Sequence, residues 1–382
     1  MKILIHHHTV AHFSNGSIWI QSFIANWINS LSPHFEQIGL LLHESENKRQ
    51  IQDTQVFAHN VVFHSLGSEG KTWDRIQRIQ RIKKQCRIVS PHYDVLLIRG
   101  LTPRQFTIWE ACNIGLKAYL LVGSIKESKP RFNLANWYVY FMDFIRKREL
   151  FLIARKSLCI ANSSAIALEL ESITKRKTYF LPTSSISVND LQGFIPPQLN
   201  ESLKILFCGR VNRDKGIFEL VESLVDLKRV YPNIELLIAG QIASEVKLEL
   251  EKIIFENNLK ENIQWLGFVS YGKDLFATFK RADYCILPSY HEGFPHTIWE
   301  AGICSVSMVT TQVGGIPSIV DETQVTFVET KNSKSITNTI LTLQNNLDLR
   351  IEKARKLYEL ATEFTLENSA SKLKELLNKH QQ

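Results

Sequence analysis

Short apolar runs alternate with longer amphipathic stretches along the C-terminal half of this 382-residue chain. The runs lack the polar alternation that marks a half-exposed strand, and glycine or a polar residue closes most of them. They occupy residues 205–208, 235–240, 263–268, 284–287, 307–310 and 325–328. Such runs are typical of parallel strands buried on both faces, and their alternation with helices predicts a doubly wound α/β domain with right-handed crossovers.

The N-terminal half predicts a second α/β domain with a weaker pattern. Strands are expected at 3–5, 93–98, 118–122 and 178–181, with a turn at 14–17 and a helix over 18–31. The histidines at positions 6–8 follow the first strand and are interpreted as a native loop. Glycine, proline and polar residues at 189–200 indicate a linker. The predicted organisation is therefore a domain over 1–188, a second over 201–350 and a terminal helix over 351–382.

Composition agrees with a cytoplasmic protein of two domains. The chain is long enough for two cores, and no apolar run approaches the length that spans a bilayer. The apolar run at the N-terminus is too short for a signal peptide. Six cysteines without metal-binding spacing are typical of reduced, buried thiols.

Two carboxylates eight positions apart, Glu292 and Glu300, follow the predicted strand at 284–287. A Gly-Phe-Pro turn between them opens onto a predicted helix. One carboxylate thus falls on a loop at the carboxyl end of a strand and the other in the first turn of the next helix, where open α/β sheets bind ligands. The alternative is structural: Thr297 and Glu300 form a capping box, and Glu292 is a solvated loop carboxylate. The two interpretations of Glu300 are compatible.

Two cations, Arg210 and Lys215, lie between the strand at 205–208 and a helix predicted to begin near Ile217. A guanidinium fork and a mobile ammonium suit a diphosphate. The alternative is a pair of surface cations beside Asp214 and Glu219.

Together these segments resemble the Glu-x7-Glu and diphosphate-binding segments of the retaining glycosyltransferases of family 4, the glycosyl transferases group 1. The resemblance implies the GT-B fold, two Rossmann-like doubly wound domains that face each other across a cleft, with the terminal helix crossing back to the N-terminal domain. It implies transfer of a sugar from a UDP- or GDP-sugar to a glycan or lipid-linked acceptor, most often in bacterial surface polysaccharide synthesis. No Asp-x-Asp motif occurs, so no cofactor or essential metal is expected.

The resemblance also implies roles for individual residues. Arg210 and Lys215 would neutralise the leaving diphosphate, Glu292 would bind hydroxyls of the transferred sugar, and Glu300 would hold the ribose. Further donor contacts are implied for Gly16, Ser17, Phe268, Val269, Phe294, Pro295, His296, Thr297 and Ile298.

The chain departs from the family pattern at two positions. Ser318 follows the Gly-Gly-Ile-Pro turn where the family has Glu, and Val122-Gly123-Ser124 stands where many relatives carry a His. Arg99 or a histidine of the 6–12 group could replace that His, and Arg99 could equally be a structural ion-pair partner. These departures leave two other classes open. One is a sugar-nucleotide epimerase of the same fold, and the other is a non-catalytic partner subunit.

Cations concentrate in the N-terminal half of a chain whose net charge is +7. Residues 75–87 and 146–156 are basic, and apolar residues recur at helical spacing from Trp73 to Ile82. A basic amphipathic helix of this kind can lie on an anionic membrane, which predicts peripheral contact with the inner face of the plasma membrane. The alternative is a core helix with a solvated cationic face. No nucleic-acid motif accompanies the charge, so no nucleic-acid partner is expected.

Overall fold

A computed structural model describes residues 1–49, 51–68, 75–100, 105–122, 137–200 and 202–381. The chain forms two compact units, one of Met1–Thr183 with Leu366–Gln382 and the other of Ser184–Thr365. The boundaries differ from those predicted, because residues 184–200 pack with the second unit. Ile186, for example, is fully buried in that unit's core.

In the described part of the first unit, nine strands form one sheet. They are β1 (Lys2–Ser14), β2 (Ser17–Ile20), β3 (Gln37–Glu44), β4 (Thr54–Gln55), β5 (Val61–Ser68), β6 (Val95–Arg99), β7 (Leu116–Leu121), β8 (Leu158–Ala161) and β9 (Thr178–Phe180). The order β5-β3-β1-β6-β7-β8-β9 is parallel throughout, and β2 and β4 add antiparallel pairs beside β1.

Five helices precede the second unit in the described sequence. They are α1 (Ser22–Leu31), α2 (Arg75–Val89), α3 (Gln105–Ala111), α4 (Trp137–Ala154) and α5 (Ser164–Thr174). Side chains along each strand alternate between two cores: Ile3 and Ile5 pack on one face of the sheet and Leu4 on the other. Burial on both faces explains why the strands read as continuous apolar runs.

The start of the chain corrects two predictions. β1 continues to Ser14 and turns back into β2 through Asn15 and Gly16, whose φ angles are +49° and +74°. Two residues with positive φ between antiparallel strands form a tight hairpin, for which Asn-Gly is the favoured sequence. The helix therefore begins at Ser22, so the prediction of a helix from residue 18 was wrong. The histidines at 6–8 lie in β1, so the loop interpretation was also wrong.

The second unit contains a parallel sheet of six strands in its described residues, in the order β12-β11-β10-β13-β14-β15. The strands are β10 (Lys204–Cys208), β11 (Glu235–Ala239), β12 (Ile263–Gly267), β13 (Tyr284–Leu287), β14 (Ser307–Thr311) and β15 (Thr326–Val328). Each lies within one residue of its predicted bounds, which confirms the doubly wound prediction. The order reverses between β10 and β13, and ligands of such sheets bind at that switch point.

The helices of the second unit cover both faces of this sheet. They are α6 (Ile217–Val230), α7 (Ser244–Glu256), α8 (Lys273–Lys280), α9 (Thr297–Ile303), α10 (Ser333–Gln344) and α11 (Leu347–Glu363). α9 and α11 pack closely at Gly302, where an added Cβ would lie 3.0 Å from Ala361 Cβ. None of the helices described is long and apolar enough to cross a bilayer.

The predicted terminal helix is two helices, of which the second, α12 (Leu366–Gln381), belongs to the first unit. Its Ser369 hydroxyl donates to the Pro182 carbonyl at 3.2 Å, and His380 Nε2 lies 3.0 Å from the Tyr179 hydroxyl. α11 ends at Glu363, and the next residue, Phe364, stacks on Trp299 with ring centroids 4.8 Å apart. The chain breaks between the two helices because α11 packs in the core of the second unit and α12 packs in the core of the first.

Candidate functional site

The loop after β10 is locked to the loop after β13 at the switch point of the second unit. Gly216 has φ +68°, and an added Cβ would lie 2.1 Å from the Pro288 carbonyl oxygen. The Tyr290 N–H donates to the Asp214 carbonyl at 2.7 Å. Only glycine fits this close approach, which holds the two predicted site segments against each other.

Lys215 and Glu292 form an ion pair across these two loops. Glu292 Oε1 also accepts a hydrogen bond of 2.8 Å from the Ser289 hydroxyl. The Glu292 side chain is 8% exposed, so the interpretation of a solvated loop carboxylate was wrong. Sequence reasoning missed Ser289, although its position three residues before Glu292 on the same loop was a usable signal.

Arg210 is exposed at the same switch point. In the described ranges no hydrogen-bond acceptor or carboxylate contacts its guanidinium. The nearby Arg213 is different, because it pairs with Glu249 and lies over the Phe218 ring at 4.4 Å. An exposed cation therefore lies on the same loop as Lys215, which is a suitable arrangement for a polyanionic ligand.

Glu300 is a buried carboxylate that pairs with no cation among the described residues. It is 7% exposed, and its Oε1 accepts a hydrogen bond of 3.1 Å from the Ser185 hydroxyl. Burial raises the pKa of Glu300 from its ordinary value of 4.5 to about 7, and the Ser185 hydrogen bond opposes that shift. Ser185 lies 115 positions earlier in the chain, so no local sequence signal could have found it.

The capping-box interpretation of Thr297 and Glu300 was wrong. The Thr297 hydroxyl donates to the Cys208 carbonyl at 3.2 Å, and no side chain caps α9 at His296. Thr297 thus joins the start of α9 to the end of β10, while Glu300 turns toward Ser185. The carboxylate is held by a long-range hydrogen bond and not by its own helix.

The side chains of the turn at residues 294–298 are buried or half-buried. Phe294 is buried and packs on Trp299 with ring centroids 4.7 Å apart, and Ile298 is fully buried. Pro295 and His296 are half-buried. The Ile298 N–H already donates to the Pro295 carbonyl at 3.2 Å, so that group is used within the turn.

A third loop, after β14, completes the arrangement. The Gly315 N–H donates to the Gly293 carbonyl at 2.7 Å, and an added Cβ on Gly314 would lie 1.7 Å from the Glu292 carbonyl oxygen. Ser318, which replaces the expected Glu, donates locally to the Gly315 carbonyl at 2.6 Å. The loops after β10, β13 and β14 therefore hold Glu292 from both sides.

The remaining predicted donor contacts lie elsewhere. Phe268, just after β12, is 43% exposed, and Val269 packs partly against the core. Gly16 and Ser17 belong to the hairpin of the first unit, where the Ser17 hydroxyl accepts from Gln55 Nε2 at 3.1 Å. Gly16 and Ser17 thus lie at a hairpin and not directly before a helix, and their contact with the donor stays a prediction.

Three predictions for the first unit have different outcomes. Arg99 has no ion-pair partner within the described residues, so its interpretation as a structural ion-pair partner was wrong. α2 packs Ile82, Cys86 and Val89 against the core and exposes Arg81, Lys84 and Arg87, which favours the interpretation of a solvated outer face. Trp73 and positions 123–124, where many relatives carry a His, lie outside the described residues.

Thiols and acidic groups offer no obvious metal site. Cys208 is half-buried and the other five cysteines are buried, and none is in a disulfide. Across the described ranges, no group of three or more His, Cys, Asp or Glu side chains is arranged to hold a metal ion.

Two Rossmann-like parallel sheets in one chain, with cations and carboxylates at the switch point of the second, define a GT-B class of protein. The structure is similar to that of Anabaena HepE, solved in complex with UDP-glucose, with a TM-score of 0.75 and 16% identity over 99% of this chain and 100% of that one. Residues 193–364 match the model of the glycosyl transferases group 1. This segment, slightly less than half of the chain, is similar to the glycosyl transferases group 1, and the fold is that of GT-B glycosyltransferases.

Two curated relatives show sequence similarity over shorter stretches. The capsular polysaccharide biosynthesis glycosyltransferase CapM of Staphylococcus aureus is 29% identical over 163 residues, 42% of each chain. The D-inositol 3-phosphate glycosyltransferase of Pseudarthrobacter chlorophenolicus is 32% identical over 114 residues, 29% of this chain and 27% of that one. The chain thus aligns with less than half the length of these relatives.

Proposed function

We propose that this protein is a retaining glycosyltransferase that transfers a sugar from a UDP- or GDP-sugar to a glycan or lipid-linked acceptor. The observation that carries the proposal is the Lys215–Glu292 pair beside the exposed Arg210 at the switch point of the second unit. Two cations and a carboxylate at that place match the charge pattern of a diphosphate joined to a polyhydroxylated ring.

The cations would act on the leaving group. Cleavage of the bond between the anomeric carbon and the diphosphate oxygen leaves negative charge on the diphosphate, which Arg210 and Lys215 would stabilise without an essential metal. In a same-face displacement, the acceptor oxygen bonds to the anomeric carbon as that bond breaks. The departing phosphate oxygen takes the proton of the acceptor hydroxyl, so no protein nucleophile is required.

The carboxylates would bind hydroxyl groups of the donor. Donor binding would draw the Lys215 ammonium toward phosphate and free Glu292 to accept hydrogen bonds from the transferred sugar. Glu300, buried beside Cys208, would accept from the ribose diol. A neutral diol can approach a desolvated carboxylate at lower cost than an ion can, because no further charge has to lose its water.

The names of two similar proteins support a particular class of donor and acceptor. HepE was solved with UDP-glucose and CapM is named for capsular polysaccharide biosynthesis. We therefore favour a uridine nucleotide and a role in bacterial surface polysaccharide synthesis at the cytoplasmic side of the membrane.

Calorimetric titration with UDP, GDP, ADP and their sugar conjugates, first without and then with Mg²⁺, tests the donor. Tight binding of one nucleotide without metal is expected, and the anomeric configuration of the product, read by NMR, tests retention. Nucleotide binding that requires Mg²⁺ would contradict the proposal that no metal is essential. Absence of binding under both conditions would favour a non-catalytic partner subunit, and conversion of the donor without an acceptor would favour an epimerase.

Peripheral membrane contact has support from one helix. Near its start α4 exposes four aromatic side chains: Trp137 is 54% exposed, Tyr138 51%, Phe141 48% and Phe144 62%. Exposed aromatics are costly in water and suit the headgroup region of a bilayer. Two of the neighbouring cations, Arg146 and Lys147, pair with the buried Asp143, so the aromatic side chains carry this proposal more than the charge does.

Co-sedimentation with vesicles tests this contact. We expect binding to vesicles that contain an anionic lipid, and weaker binding when Trp137 and Phe141 are both changed to Ser. Phe255→Ser, at a residue 82% exposed in the second unit, is the matched control. Absence of binding at low salt would rule out the contact.

A further inference from the structure

The first unit has a switch point of its own. Its strand order reverses between β1 and β6, and the parallel register pairs His7 of β1 with Arg99 at the end of β6. The register of β1 with β3 shifts between His6 and Val10, so β1 is irregular just beyond this pair. The carboxyl ends of two strands at a reversal of strand order form the place where open α/β sheets bind ligands.

Among the described residues, Arg99 is a buried cation without an anionic partner at this place. It is 1% exposed, and its Nε and Nη1 have no hydrogen-bond partner. Its guanidinium carbon lies 4.8 Å from the centroid of the Phe23 ring and 4.4 Å from that of Trp27. Aromatic rings offset part of the positive charge, but they do not replace oxygen acceptors for the N–H groups.

A second donor beside Arg99 also lacks an acceptor. Gln105 is 2% exposed, and its Nε2 has no hydrogen-bond partner in the part of the chain that the structure describes. The Tyr119 hydroxyl donates to the Gly100 carbonyl at 2.5 Å and lies 3.5 Å from Gln105 Oε1. The single hydroxyl hydrogen of Tyr119 is used at Gly100, so the 3.5 Å contact with Gln105 Oε1 is at most weak.

The histidines beside Arg99 do not supply negative charge. The His7 Nδ1 accepts from the Thr9 N–H at 3.0 Å. Burial, and next the Arg99 charge, lower the pKa values of His7 and His8, so both rings are neutral at pH 7. Burial lowers the pKa of Arg99 to about 9, which leaves the guanidinium charged.

A second buried arginine, Arg350, has the hydrogen-bond acceptors that Arg99 lacks. Arg350, 2% exposed, donates to the Asp283 carboxylate at 3.3 Å, to the Asp283 carbonyl at 3.0 Å and to the Ser307 hydroxyl at 3.2 Å. A buried guanidinium is normally satisfied in this way, because an unpaired charge in the interior is destabilising. Arg99 and Gln105 present donors at a binding position and lack the acceptors.

We propose that Arg99 and Gln105 bind an oxyanion, a carboxylate or phosphate group, at the switch point of the first unit. The guanidinium offers a fork that matches two oxygens of such a group, and Gln105 offers a further N–H. Since only 1% of Arg99 is exposed, the anion must be a small group that enters end-on. Resting on the proposed glycosyltransferase function, we assign this oxyanion to the acceptor and not to the nucleotide sugar.

Phosphate-dependent thermal stability tests the site. Inorganic phosphate should raise the unfolding temperature of the wild type, and Arg99→Met should lose this response. Arg350→Met, which removes a guanidinium of similar burial, should keep it. Phosphate could also bind at the diphosphate loop, so Arg210→Ala is measured in parallel. A response lost in Arg210→Ala and kept in Arg99→Met would overturn the proposal.

Stability without phosphate gives a second readout. Because Arg99 lacks an acceptor, Arg99→Met should leave the unfolding temperature unchanged or raised, whereas Arg350→Met should lower it. A large decrease for Arg99→Met would indicate a structural arginine. If that variant does not fold, Gln105→Leu keeps the cation and should weaken phosphate binding about threefold to tenfold, the effect of one lost hydrogen bond. Unchanged affinity in Gln105→Leu would then count against the site.

Calorimetry separates the acceptor from a free anion. Glucose 6-phosphate and glucuronate should bind more tightly than inorganic phosphate and acetate, and Arg99→Met should weaken both by tenfold or more. Equal affinity for the sugar-linked and free anions would overturn the assignment to the acceptor. UDP affinity should be unchanged in Arg99→Met. If the wild type binds phosphate through Arg99 but binds no nucleotide, the anion site is supported and the proposed glycosyltransferase function is contradicted.

Discussion

The Lys215 ammonium donates to the Glu292 carboxylate across 77 positions of sequence, and this pair joins the loops after β10 and β13. Each member is held by its own loop, Lys215 in a single 3₁₀ turn before Gly216 and Glu292 by Ser289. Without a ligand the two charges neutralise each other. A diphosphate would compete for the ammonium, so donor binding and release of Glu292 would be coupled.

Lys215→Ala should lower turnover by about two to three orders of magnitude, the scale of losing one transition-state charge contact. It should also lower the free energy of unfolding, because Glu292 is left buried without its cation. Steady-state kinetics with the donor and chemical denaturation measure the two effects. Lys228→Ala, at a surface lysine that donates to the Asn258 carbonyl, is the control and should change neither. Full turnover in Lys215→Ala would rule out its diphosphate role.

Glu292→Gln should reduce sugar transfer far more than it reduces binding of the free nucleotide. The amide keeps the size of the side chain but cannot accept hydrogen bonds as strongly as a carboxylate does. Calorimetry with UDP and with the UDP-sugar, set beside turnover, measures the difference. Equal losses in all three would argue that Glu292 serves only to hold the loop.

Arg210→Ala should weaken nucleotide diphosphate binding without changing stability. The side chain is exposed and pairs with no carboxylate in the part of the chain that the structure describes, so its removal breaks no structural contact. Affinity for UDP in the wild type should also fall as salt rises, and less steeply in the variant, because one charge contact is missing. Identical salt dependence in both proteins would contradict a phosphate contact.

Donor binding should depend on pH through Glu300. Its folded-state pKa of about 7 lies above the ordinary 4.5, so the side chain is protonated below pH 7 and accepts hydrogen bonds poorly there. Affinity for UDP should therefore fall as pH decreases below 7, by up to about tenfold per pH unit. Ser185→Ala removes the hydrogen bond that stabilises the carboxylate and should move this transition to higher pH. A pH-independent affinity between 5.5 and 8 would contradict the ribose role.

The same group makes stability depend on pH in the opposite direction. Since the folded protein binds this proton more tightly than the unfolded chain, the contribution of Glu300 is greatest below pH 4.5 and is lost as pH rises to about 7. Glu300→Gln mimics the protonated form. The difference in unfolding free energy between the variant and the wild type should therefore change by a few kcal/mol at most over this window, at about 1.4 kcal/mol per pKa unit.

Gly216→Ala should destabilise the protein by several kcal/mol. The left-handed backbone at φ +68° disfavours an L side chain, and the Cβ would lie 2.1 Å from the Pro288 carbonyl oxygen, so the two loops must separate. Gly193→Ala is the control, because nothing lies within 4 Å of its Cβ position. Equal unfolding midpoints for the two variants would show that the loops accommodate the methyl group.

The sequence predicted the second unit well and the first unit only in part. Strands such as Tyr284–Leu287 are buried on both faces, so an apolar run and its limits coincide with the strand. β3 and β5 were missed, although β3 is apolar, and the Asn15–Gly16 hairpin was read as a turn before a helix. Local patterns do not say whether a turn leads to a helix or to a returning strand.

The sequence named the residues of the candidate site but not their contacts. Arg210, Lys215, Glu292 and Glu300 were found from the spacing within two segments. Their partners were not, because Ser185 reaches Glu300 and Thr297 reaches Cys208 through the packing of distant segments. Helix propensity favoured a capping box at Thr297, and tertiary hydrogen bonds overrode it.

The second unit is an insertion within the first, since the chain leaves the first unit after Thr183 and returns to it at Leu366. A chain cut at residue 365 would lose Leu366, Ala370, Leu373 and Leu377, all buried in the core of the first unit beside α1. Truncation at the C-terminus would therefore damage the unit that begins the chain. The first unit can complete its core only after the last helix has been synthesised, so during translation the inserted unit can fold first.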